Sequence, residues 1–494
     1  MEDKHIVTID LGTEKLGISV ATIDENRNIS LSYYNEFPSD GIKHSKLSNP
    51  SRLAVKLKEA LSLVEKAMGI RISEVMVNVQ RYGVRQIDCK MSATTSNGNV
   101  SEADLELMDS MVWENREPLA ADEEIIGCVA QSYDLDNGEI NVSPEDVVGM
   151  LSDNITGRYK VYALRQSSIN VIDNAFRDTG IITVRKVFVP DYAGACILTD
   201  NERQGGVALF DLGAGASSVS IFAGGVLKHY GAIPFGGANI TFDIANVCGI
   251  SEKLAENIKM AYGGCMPDRL GTLGEKKLRI TSTLDKSTRE VSVKYLSEII
   301  SARQKEIVDA LLYEIQTSGY ADKLKNGIIV TGGAASMLNV CNYIKEISGF
   351  NTKTGATSRN LFRSEDSSFF TLSASASSGL LRKYSTTETG GCEPLPAEPE
   401  PVAAQTAAEE AVQAPSAPVQ EPEPSAEHLF EQPDSAEGRR KNSPIGNIFG
   451  IFGRNVNKAE ESAPKPKKEK TNKKKDYDDA PLGGLFSFGE DEEV

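Results

Sequence analysis

The sequence lacks features that define several common classes of protein. Its seven cysteines are scattered, with no CxxC pair and no histidine at ligand spacing, so neither a zinc site nor a disulfide framework is expected. This cysteine usage predicts a reducing cytosol. The first residues, MEDKHIVTID, carry no apolar signal segment, and no apolar run approaches the length that spans a membrane. A formal net charge of -17 argues against nucleic acid as the main partner.

The composition that remains is that of a globular protein. A chain of 494 residues, with 40% hydrophobic and 25% charged residues, is too long for one ordinary core. Up to Tyr384, apolar strands alternate with amphipathic stretches, which predicts an α/β fold. The predicted strands are 5–11, 15–24, 28–37, 74–80, 124–135, 149–165 and 327–331. The predicted helices are 51–69, 102–116, 240–262 and 292–318.

Two stretches repeat each other. IVTIDLGTEKLGISVA and VALFDLGAGASSVSIF begin at residues 6 and 207, and they align on Asp10 and Asp211. Strand-like alternation on both sides of Asp-Leu-Gly predicts a β-hairpin whose turn carries a carboxylate and glycines. Glycines let backbone N–H groups face phosphate oxygens, and the aspartate suits Mg²⁺ held through water. One copy alone could be an Asx-type turn, but two copies predict a cleft that grips a polyphosphate from both sides.

Rival phosphate motifs fit less well, and a third segment fits the same cleft. GAGASS resembles a degraded dinucleotide fingerprint, but that motif must open a helix, and here Ser-Val-Ser-Ile-Phe returns as a strand. No GxxxxGK[ST] occurs, so a P-loop is excluded. GIIVTGGAASMLNV predicts a buried strand, then Gly332 and Gly333, then a helical stretch, so its backbone could approach a flat ligand such as adenosine. Alone, it could also be an ordinary strand-to-helix turn.

The three segments, at 6–21, 207–222 and 328–338, resemble the phosphate and adenosine motifs of the actin/Hsp70/sugar-kinase ATPase superfamily. Within it, the chain is similar to the FtsA family of bacterial cell-division proteins, from about residue 4 to 384 and again near the C-terminus. VPDYAGACILTDNE, HYGAIPFGGANITFDIA and AENIKMAYG carry the resemblance to FtsA in particular. The resemblance implies a two-lobed, actin-like α/β ATPase fold with an FtsA-type inserted subdomain, followed by a disordered tail with an amphipathic segment.

The resemblance also implies domain boundaries. A first lobe takes residues 1–82 and is completed by about 165–195 and 365–384. The inserted subdomain takes 83–164, where QSYDLDNGEINVSPEDVVGM fits the family. The second lobe takes 196–364, with the nucleotide-binding and ring-protein-binding subdomains. In this family the insert is implicated in contacts with other copies and with other division proteins.

Roles for individual residues follow from the same resemblance. The two phosphate loops, the helix that reaches the ribose and base, and the adenosine turn supply residues expected to bind ATP. These residues are Asp10, Gly12, Thr13, Lys15, Asp211, Gly213, Gly215, Ser217, Gly236, Gly237, Glu256, Lys259, Gly332, Gly333 and Ala334. Asp10 and Asp211 are also expected to hold Mg²⁺ through water. On the second lobe, YLSEIISARQKEI resembles the region that binds the C-terminal peptide of the tubulin-like ring protein FtsZ. Arg303 is therefore the candidate to pair with that acidic peptide, and a solvated helix charge is the alternative.

The chain departs from the family pattern in both phosphate loops. Glu14 stands where the family commonly has a hydroxyl. The second loop reads Ala216, Ser217 and Ser218 where relatives usually carry Thr and Asp. These changes remove oxygen ligands from the phosphate and metal shell. We therefore expect ATP binding through backbone N–H groups with weak or undetectable hydrolysis, and we assign no catalytic residue.

Composition changes after Tyr384. Between Lys383 and Arg439 there is no Lys or Arg and much Glu, Pro and Ala, which predicts a disordered linker over 385–442. The next segment, 443–459, is predicted to be a membrane-targeting amphipathic helix. Its apolar face is formed by Ile445, Ile448, Phe449, Phe452 and Val456.

A basic and then acidic tail, predicted to be disordered, takes residues 460–494. Its lysines are residues 465, 467, 468, 470, 473, 474 and 475. An apolar insert followed by a polybasic patch is the two-signal arrangement that attaches proteins to an anionic membrane surface. The alternative is a solvated tail or nonspecific contact with nucleic acid. The last segment, GGLFSFGEDEEV, has no assigned role.

The function predicted from these features is that of a cytoskeletal adaptor. An actin-like, ATP-binding protein would anchor the FtsZ ring to the cytoplasmic face of the cell membrane at the division septum, recruit later divisome proteins and assemble into filaments with itself. A sugar kinase or polyphosphate phosphatase of the same fold is the alternative, but an enzyme has little use for a tether with an apolar and basic end. An Hsp70-like chaperone would need a β-rich peptide-binding domain, which the Pro-rich tail does not supply.

Overall fold

The computed structural model describes residues 5–282, 287–387 and 392–394, which alternate between strands and helices. The strands are β1 (His5–Leu11), β2 (Lys15–Ile23), β3 (Ile29–Pro38), β4 (Ile42–Lys43), β5 (Lys46–Leu47), β6 (Ile70–Arg71), β7 (Glu74–Asn78), β8 (Arg85–Thr94), β9 (Glu123–Leu135), β10 (Asn154–Arg165), β11 (Thr183–Val187), β12 (Val207–Leu212), β13 (Ser217–Ala223), β14 (Val226–Ile233), β15 (Lys277–Thr281), β16 (Thr288–Ser292), β17 (Ile328–Thr331), β18 (Thr352–Thr354), β19 (Phe362–Arg363) and β20 (Glu393–Pro394). The α-helices are α1 (Pro50–Met68), α2 (Glu102–Glu114), α3 (Gln166–Phe176), α4 (Pro190–Ile197), α5 (Asp200–Gly205), α6 (Gly237–Cys248), α7 (Glu252–Tyr262), α8 (Thr272–Glu275), α9 (Val293–Thr317), α10 (Val340–Ser348) and α11 (Ser375–Ser385).

The two largest sheets share one topology. The first has the strand order β11-β7-β1-β2-β3-β19, and the second has the order β14-β13-β12-β17-β18. In each, three consecutive strands form an antiparallel meander, β1-β2-β3 or β12-β13-β14. Two further strands then pair in parallel with the first strand of the meander and with each other, β7 and β11 or β17 and β18. The repeat seen in the sequence therefore extends to five strands per lobe, where a lobe means one sheet with its helices.

The sheet of the first lobe is covered on both faces. Val7 and Ile9 of β1 face a core shared with α1 and α3, whereas Ile6 faces a core shared with α4 and α11. This alternation explains why β1 and β2 are apolar almost throughout, since both faces of each strand are buried. Helix α1 begins after Asn49, whose side chain accepts a hydrogen bond from the backbone N–H of Arg52, and it ends at a left-handed glycine.

The sheet of the second lobe packs on the long helix α9. Side chains from β12 and from one face of α9 meet in a single core, namely Phe210, Leu212, Ile300, Ile307 and Leu311. Burying side chains of this size contributes roughly 1.5–3 kcal/mol each. Helices α6 and α7 complete this lobe beside the cleft. The rigid pairing of β12 with β13 and α9 fixes the position of the second Asp-Leu-Gly turn.

The segment between the parts of the first lobe forms its own small sheet, in the order β8-β10-β9. Helix α2 packs against it through Met108 and Val112, which join Tyr133 and Tyr159 in a separate core. A capping box between Ser101 and its N3 residue starts this helix. Strand β8 is not among the predicted strands, because charged and polar residues interrupt its apolar pattern.

The structure corrects several predicted boundaries. The strand predicted over 149–165 begins only at Asn154, and the helical pattern at 240–262 is two helices, α6 and α7. The predicted linker also starts too early, because α11 extends to Ser385 and Cys392 is fully buried against the first lobe. Cys392 pairs with His5 through two backbone hydrogen bonds, and β20 pairs with β6. Averaging the composition over a long segment hid this short contact.

The remaining predictions for the tail, including the amphipathic segment and the basic run, lie outside the described residues. Among the residues that are described, no helix is both long enough and apolar enough to cross a membrane.

Candidate functional site

The two Asp-Leu-Gly turns have the same backbone geometry. In each, the N–H of the glycine donates to the carbonyl oxygen three residues later, Gly12 to Lys15 and Gly213 to Ala216, both at 3.1 Å. A Cβ added to either glycine would lie 2.5 Å or 2.7 Å from that same oxygen. Since real Cβ atoms do not approach so closely, the turn requires glycine at this position. The sequence repeat is thus a repeat of local structure.

The two turns and the loop after β17 meet at one cavity of about 440 Å³. Its lining includes most of the residues that the sequence predicts to bind ATP. Those residues are Asp10, Gly12, Thr13, Lys15, Asp211, Gly213, Gly237, Glu256, Lys259, Gly332, Gly333 and Ala334. Residues that the sequence prediction did not include also line it, among them Tyr34, Glu36, Arg81, Met260, Met337, Ser373 and Ser375. Their places in the sequence carry no motif, so only the fold reveals them.

Three predicted residues do not line the cavity. A Cβ at Gly215 would lie 2.3 Å from the hydroxyl oxygen of Thr13, so this glycine lets the two turns touch. A Cβ at Gly236 would lie 2.3 Å from the carbonyl oxygen of Gly213. Ser217 is fully buried at the start of β13. The two glycines therefore support the turns, and Ser217 is enclosed in the sheet and is absent from the cavity lining.

The start of α6 is tied to the second turn. The N–H of Gly237 donates to the carbonyl of Gly213 at 2.9 Å, and the N–H of Ala238 donates to Ala214 at 2.8 Å. These N–H groups are thus used to hold the turn. The role of Gly237 in the structure is to anchor the second turn at the edge of the cavity.

The two aspartates differ in their surroundings. Burial is the main reason that the pKa of Asp10 rises to about 6, and the nearby charges of Asp211 and Glu36 act in the same direction, against Arg81. Its Oδ1 accepts a hydrogen bond from the side-chain amide of Asn78 at 2.9 Å. Asp211 instead lies 2.6 Å from the guanidinium of Arg81 and accepts a hydrogen bond from the Ser375 hydroxyl at 2.9 Å.

Lys259 and Glu256 form a second polar group, on α7. Lys259 Nζ lies 2.7 Å from the carboxylate of Glu256 and donates to the carbonyl of Gly237 at 2.9 Å and the hydroxyl of Thr241 at 2.8 Å. On the first turn, burial and the charge of Glu256 raise the pKa of Glu14 above its usual range. Glu14 also lines the cavity and adds a carboxylate to it.

The loop after β17 is open and depends on one glycine. Gly332 has φ +91, and a Cβ there would lie 2.5 Å from the carbonyl oxygen of Leu212 and 2.6 Å from the Asp211 carboxylate. Its N–H donates to the carbonyl of Leu372 at 2.8 Å. A short 3₁₀ turn follows, and α10 begins only at Val340. The predicted helix N-terminus is therefore not at the glycines, since a 3₁₀ turn and an extended residue separate them from the helix.

Comparisons with known proteins address the family. A family profile described as "Cell division protein FtsA" matches residues 208–374. The chain is 25% identical to the cell division protein FtsA of Neisseria meningitidis over 357 residues, which covers 72% of this chain and 84% of the relative. It is 27% identical to FtsA of Pseudomonas aeruginosa over 346 residues, covering 70% and 81%. The resemblance to FtsA seen in the sequence is therefore confirmed by a family model and by relatives at 25% and 27% identity.

A solved structure shows the fold independently of the FtsA relatives. The chain is similar to a chain of the PilM-PilN type IV pilus biogenesis complex, with a TM-score of 0.54 and 15% identity, over 78% of this chain and 99% of that chain. The predicted actin-like α/β fold is therefore confirmed. The similarity to FtsA division proteins is confirmed as well, whereas the roles of individual residues stay predictions.

Arg303, the residue predicted from the FtsA resemblance to bind an acidic peptide, already has partners. Its Nε lies 2.6 Å from the carboxylate of Asp243 and its Nη2 lies 3.1 Å from the other oxygen, and it also contacts Glu306. Its side chain is one quarter exposed. An acidic peptide would therefore have to compete with Asp243 for the guanidinium.

Magnesium was predicted to bind through water at Asp10 and Asp211. Among the described residues, no group of three or more His, Cys, Asp or Glu side chains could hold a metal ion directly. Asp10 has a buried carboxylate that accepts only an amide hydrogen bond, whereas Asp211 is paired with Arg81. The donor set thus fits a metal at Asp10 better than at Asp211.

Proposed function

We propose that the cleft binds ATP between its two Asp-Leu-Gly turns, as the phosphate-gripping element of an FtsA-type division protein. The observation that carries this proposal is the meeting of two turns of identical hydrogen bonding at one cavity. Paired turns of this kind offer backbone N–H groups to phosphate oxygens from two sides. A cavity of about 440 Å³ is within the size range of small-molecule sites.

The residues that line the cavity suggest where the phosphates, the base and the ribose of a nucleotide would lie. Thr13 and Arg81 lie at the turns and would receive the phosphates. Gly332, Met337 and Met260 are uncharged and suit the flat adenine base. Lys259 and Glu256 offer hydrogen bonds of both kinds to ribose hydroxyls.

Mg²⁺, when bound, would supply positive charge that offsets the phosphates. The residue that would hold it, through water, is Asp10, because its carboxylate has no cationic hydrogen-bond donor among the described residues. Asp211 would join only if Arg81 released it.

We expect weak or undetectable hydrolysis. The second loop reads Ala216, Ser217 and Ser218 where the resemblance leads us to expect Thr and Asp, and both serines are buried in β13, outside the lining of the main cavity. We therefore expect neither hydroxyl to ligate a metal in the main cavity. A steady-state Mg²⁺-dependent ATPase activity that Asp211→Ala abolished would contradict this expectation.

The nucleotide proposal is tested by calorimetry of the full-length protein with ATP and MgCl₂. We expect saturable binding to the wild type, and loss of binding in Gly213→Ala, where the added Cβ would meet the Ala216 carbonyl at 2.7 Å. Gly274→Ala is the matched control, since its Cβ would meet only ordinary contacts. Absence of binding by the wild type would overturn the proposal.

We further propose that the protein anchors the FtsZ ring to the cytoplasmic face of the membrane, assembles with itself and recruits divisome proteins through the insert. Similarity to FtsA supports the division role, and the apolar and basic tail sequence supports the membrane role. The test for the tail is co-sedimentation with anionic liposomes. Removing residues 443–475 should abolish co-sedimentation and leave ATP binding intact, and unchanged co-sedimentation would refute the tail's role.

The FtsZ contact is tested with the C-terminal peptide of the ring protein. Arg303→Gln should weaken peptide binding, whereas Asp243→Asn should strengthen it, because Asp243 occupies the guanidinium in the free protein. Lys305→Gln is the control, since Lys305 lies on the same helix and pairs with Asp309. Equal binding by all variants would remove Arg303 from the contact.

A further inference from the structure

Arg81 is a largely buried cation that lines the cavity, and no motif in the sequence predicts it there. It follows β7 and lines the cavity beside Asp10, Asp211 and Gly213. Its Nη1 lies 2.6 Å from Asp211 Oδ1, and its side chain is only 21% exposed. Burial opposes the charged form, but Asp211 and Asp10 together outweigh it and raise the pKa of Arg81. The guanidinium is therefore a permanent positive charge between the two turns.

The backbone of Arg81 is fixed from both lobes. Its N–H donates to the Ser45 hydroxyl at 2.9 Å, and the N–H of Ser45 in turn donates to the Thr13 hydroxyl of the first turn at 3.3 Å. Its carbonyl accepts a hydrogen bond from the Tyr230 hydroxyl, in the second lobe, at 3.0 Å. These contacts hold the residue beside both turns at once.

The side chain has hydrogen-bonding capacity left for a ligand. Nη1 and Asp211 Oδ1 form an ion pair at 2.6 Å, but neither buried atom makes a well-formed hydrogen bond within the described part of the chain. A second cavity of about 30 Å³, lined by Arg81, Asn78 and Tyr230, lies beside it. A planar guanidinium can donate two parallel hydrogen bonds to a phosphate.

The other cations that line the cavity are placed differently. Lys15 is 59% exposed and pairs with Glu36. Lys259 pairs with Glu256 and donates to Gly237 and Thr241. Arg81 is thus the cation of the cavity lining that contacts the carboxylate of the second turn.

We propose that Arg81 binds the terminal phosphates of the nucleotide and supplies part of the positive charge otherwise provided by Mg²⁺, so that ATP and ADP bind with little dependence on the metal. This inference rests on the nucleotide site proposed above. It assigns to Arg81 the place beside Asp211 that the sequence prediction gave to Mg²⁺. In the free protein Asp211 holds the guanidinium in place, and the phosphates then share it.

The test compares dissociation constants for ATP, ADP and AMP in excess MgCl₂ and in excess EDTA, by calorimetry. For the wild type, removing the metal should weaken ATP and ADP binding by less than about 10-fold. For Arg81→Met, removing the metal with EDTA should weaken the binding of ATP and ADP by roughly 100-fold or more, because neither the guanidinium nor the metal is then present to pair with the phosphates. AMP binding should be unaffected by the substitution, because AMP lacks the terminal phosphates.

Matched variants separate this role from a structural one. Arg85→Met removes the same charge from an arginine four residues away, which pairs with Glu123 outside the cleft, and should leave the metal dependence unchanged. Arg81→Lys keeps the charge beside Asp211, and its metal dependence should be intermediate. This variant guards against misfolding of Arg81→Met.

The possible outcomes are distinct. Loss of all wild-type ATP binding in EDTA, with normal binding in MgCl₂, would overturn the role of Arg81 and leave the nucleotide site standing. The same conclusion would follow if Arg81→Met kept the wild-type ratio between the two conditions. No wild-type binding in either condition would overturn both proposals.

Discussion

The two halves of the cleft share their strands and differ in the loops that follow the parallel neighbours. In the first lobe, β7 leads into Asn78 and Arg81, which bring an amide and a guanidinium to the aspartates. In the second lobe, β17 leads into Gly332 and Gly333, which bring almost no side chain. The duplicated strands therefore fix where the two turns meet. The unequal loops divide the cleft into a charged part for phosphates and an open part for a base.

The difference between the two loops also gives the two aspartates different surroundings. Asp10 accepts a hydrogen bond from a neutral amide and is raised in pKa by its burial, whereas Asp211 contacts a cation and a hydroxyl. Identical motifs thus sit in opposite electrostatic surroundings. One is left available for a metal or a proton, and the other is held by the protein itself.

The largest effect is expected from filling the open loop of the second lobe. Gly332→Ala forces an alanine into φ +91 and places its Cβ 2.5 Å from the Leu212 carbonyl oxygen. Strain and overpacking should together lower the free energy of unfolding by about 2–5 kcal/mol. We also expect loss of ATP binding, because the clash is with the second turn. Urea denaturation and calorimetry measure the two effects.

Gly333→Ala provides the control for that substitution. A Cβ at Gly333 would have nothing within 4 Å, and its backbone is not in the left-handed region. Stability should be unchanged, and only a ligand could meet the new methyl group. Equal destabilisation by the two substitutions would show that the loop is not held against the second turn.

Removing the charge of Asp211 should have the next largest effect. Asp211→Asn leaves the buried guanidinium of Arg81 without its carboxylate, which typically costs a few kcal/mol. Because both side chains retain some exposure, we expect a loss of about 2–3 kcal/mol in the free energy of unfolding without nucleotide. The measurement is urea denaturation at pH 8. A stability equal to the wild type would mean that the pair contributes nothing to the free protein.

Much of this comparison could be predicted from sequence, because the strands and turns are local features. Alternating apolar residues around Asp-Leu-Gly predicted both hairpins, and the observed strands β1 and β2 begin where expected. The glycines that the turns require can be recognised directly in the sequence. The predicted binding residues from both motifs and from Gly332 do line a common cavity.

The loops that create the inequality could not be predicted, since their positions depend on tertiary packing. Arg81 is a single arginine after a strand, and only the contacts of its backbone with Ser45 and Tyr230 bring it between the turns. Glu36 and Ser375 reach the cavity from distant elements. Cys392 likewise is buried by a pairing with the first strand that no local pattern signals.

Removing the charge of Asp10 should stabilise the protein, whereas removing that of Asp211 should destabilise it. Its pKa of about 6 in the folded protein lies above its ordinary value of 3.8, so the folded state binds the proton more tightly. Stability from this group is present at low pH and is lost as the pH rises toward and through about 6. Asp10→Asn should therefore raise the free energy of unfolding by about 2 kcal/mol at pH 8, and this gain should vanish near pH 4. Urea denaturation across that range measures it.

The control for this pH dependence is to repeat the urea denaturation of the wild type and of Asp10→Asn at high ionic strength. Because burial, rather than surface charge, is the main cause, the gain should persist in salt. A destabilised Asp10→Asn at pH 8 would mean that attraction to Arg81 outweighs burial, and that the two aspartates are more alike than the structure indicates.

The smallest change in stability is expected at Asp104, a carboxylate of the insert whose hydrogen bonds all come from the protein. It serves as a reference for the changes expected at Asp10 and Asp211. Hydrogen bonds from the hydroxyls of Ser101 and Ser96, both at 2.6 Å, lower the pKa of Asp104 to about 2. Its stabilisation is complete above its ordinary value of 3.8 and is lost as the pH falls through about 2. Asp104→Asn should cost about 1 kcal/mol at pH 7, and the cost should shrink in acid, opposite to Asp10. If urea denaturation gave both variants the same sign at pH 7, the contrast between a satisfied aspartate and one kept for a ligand would fail.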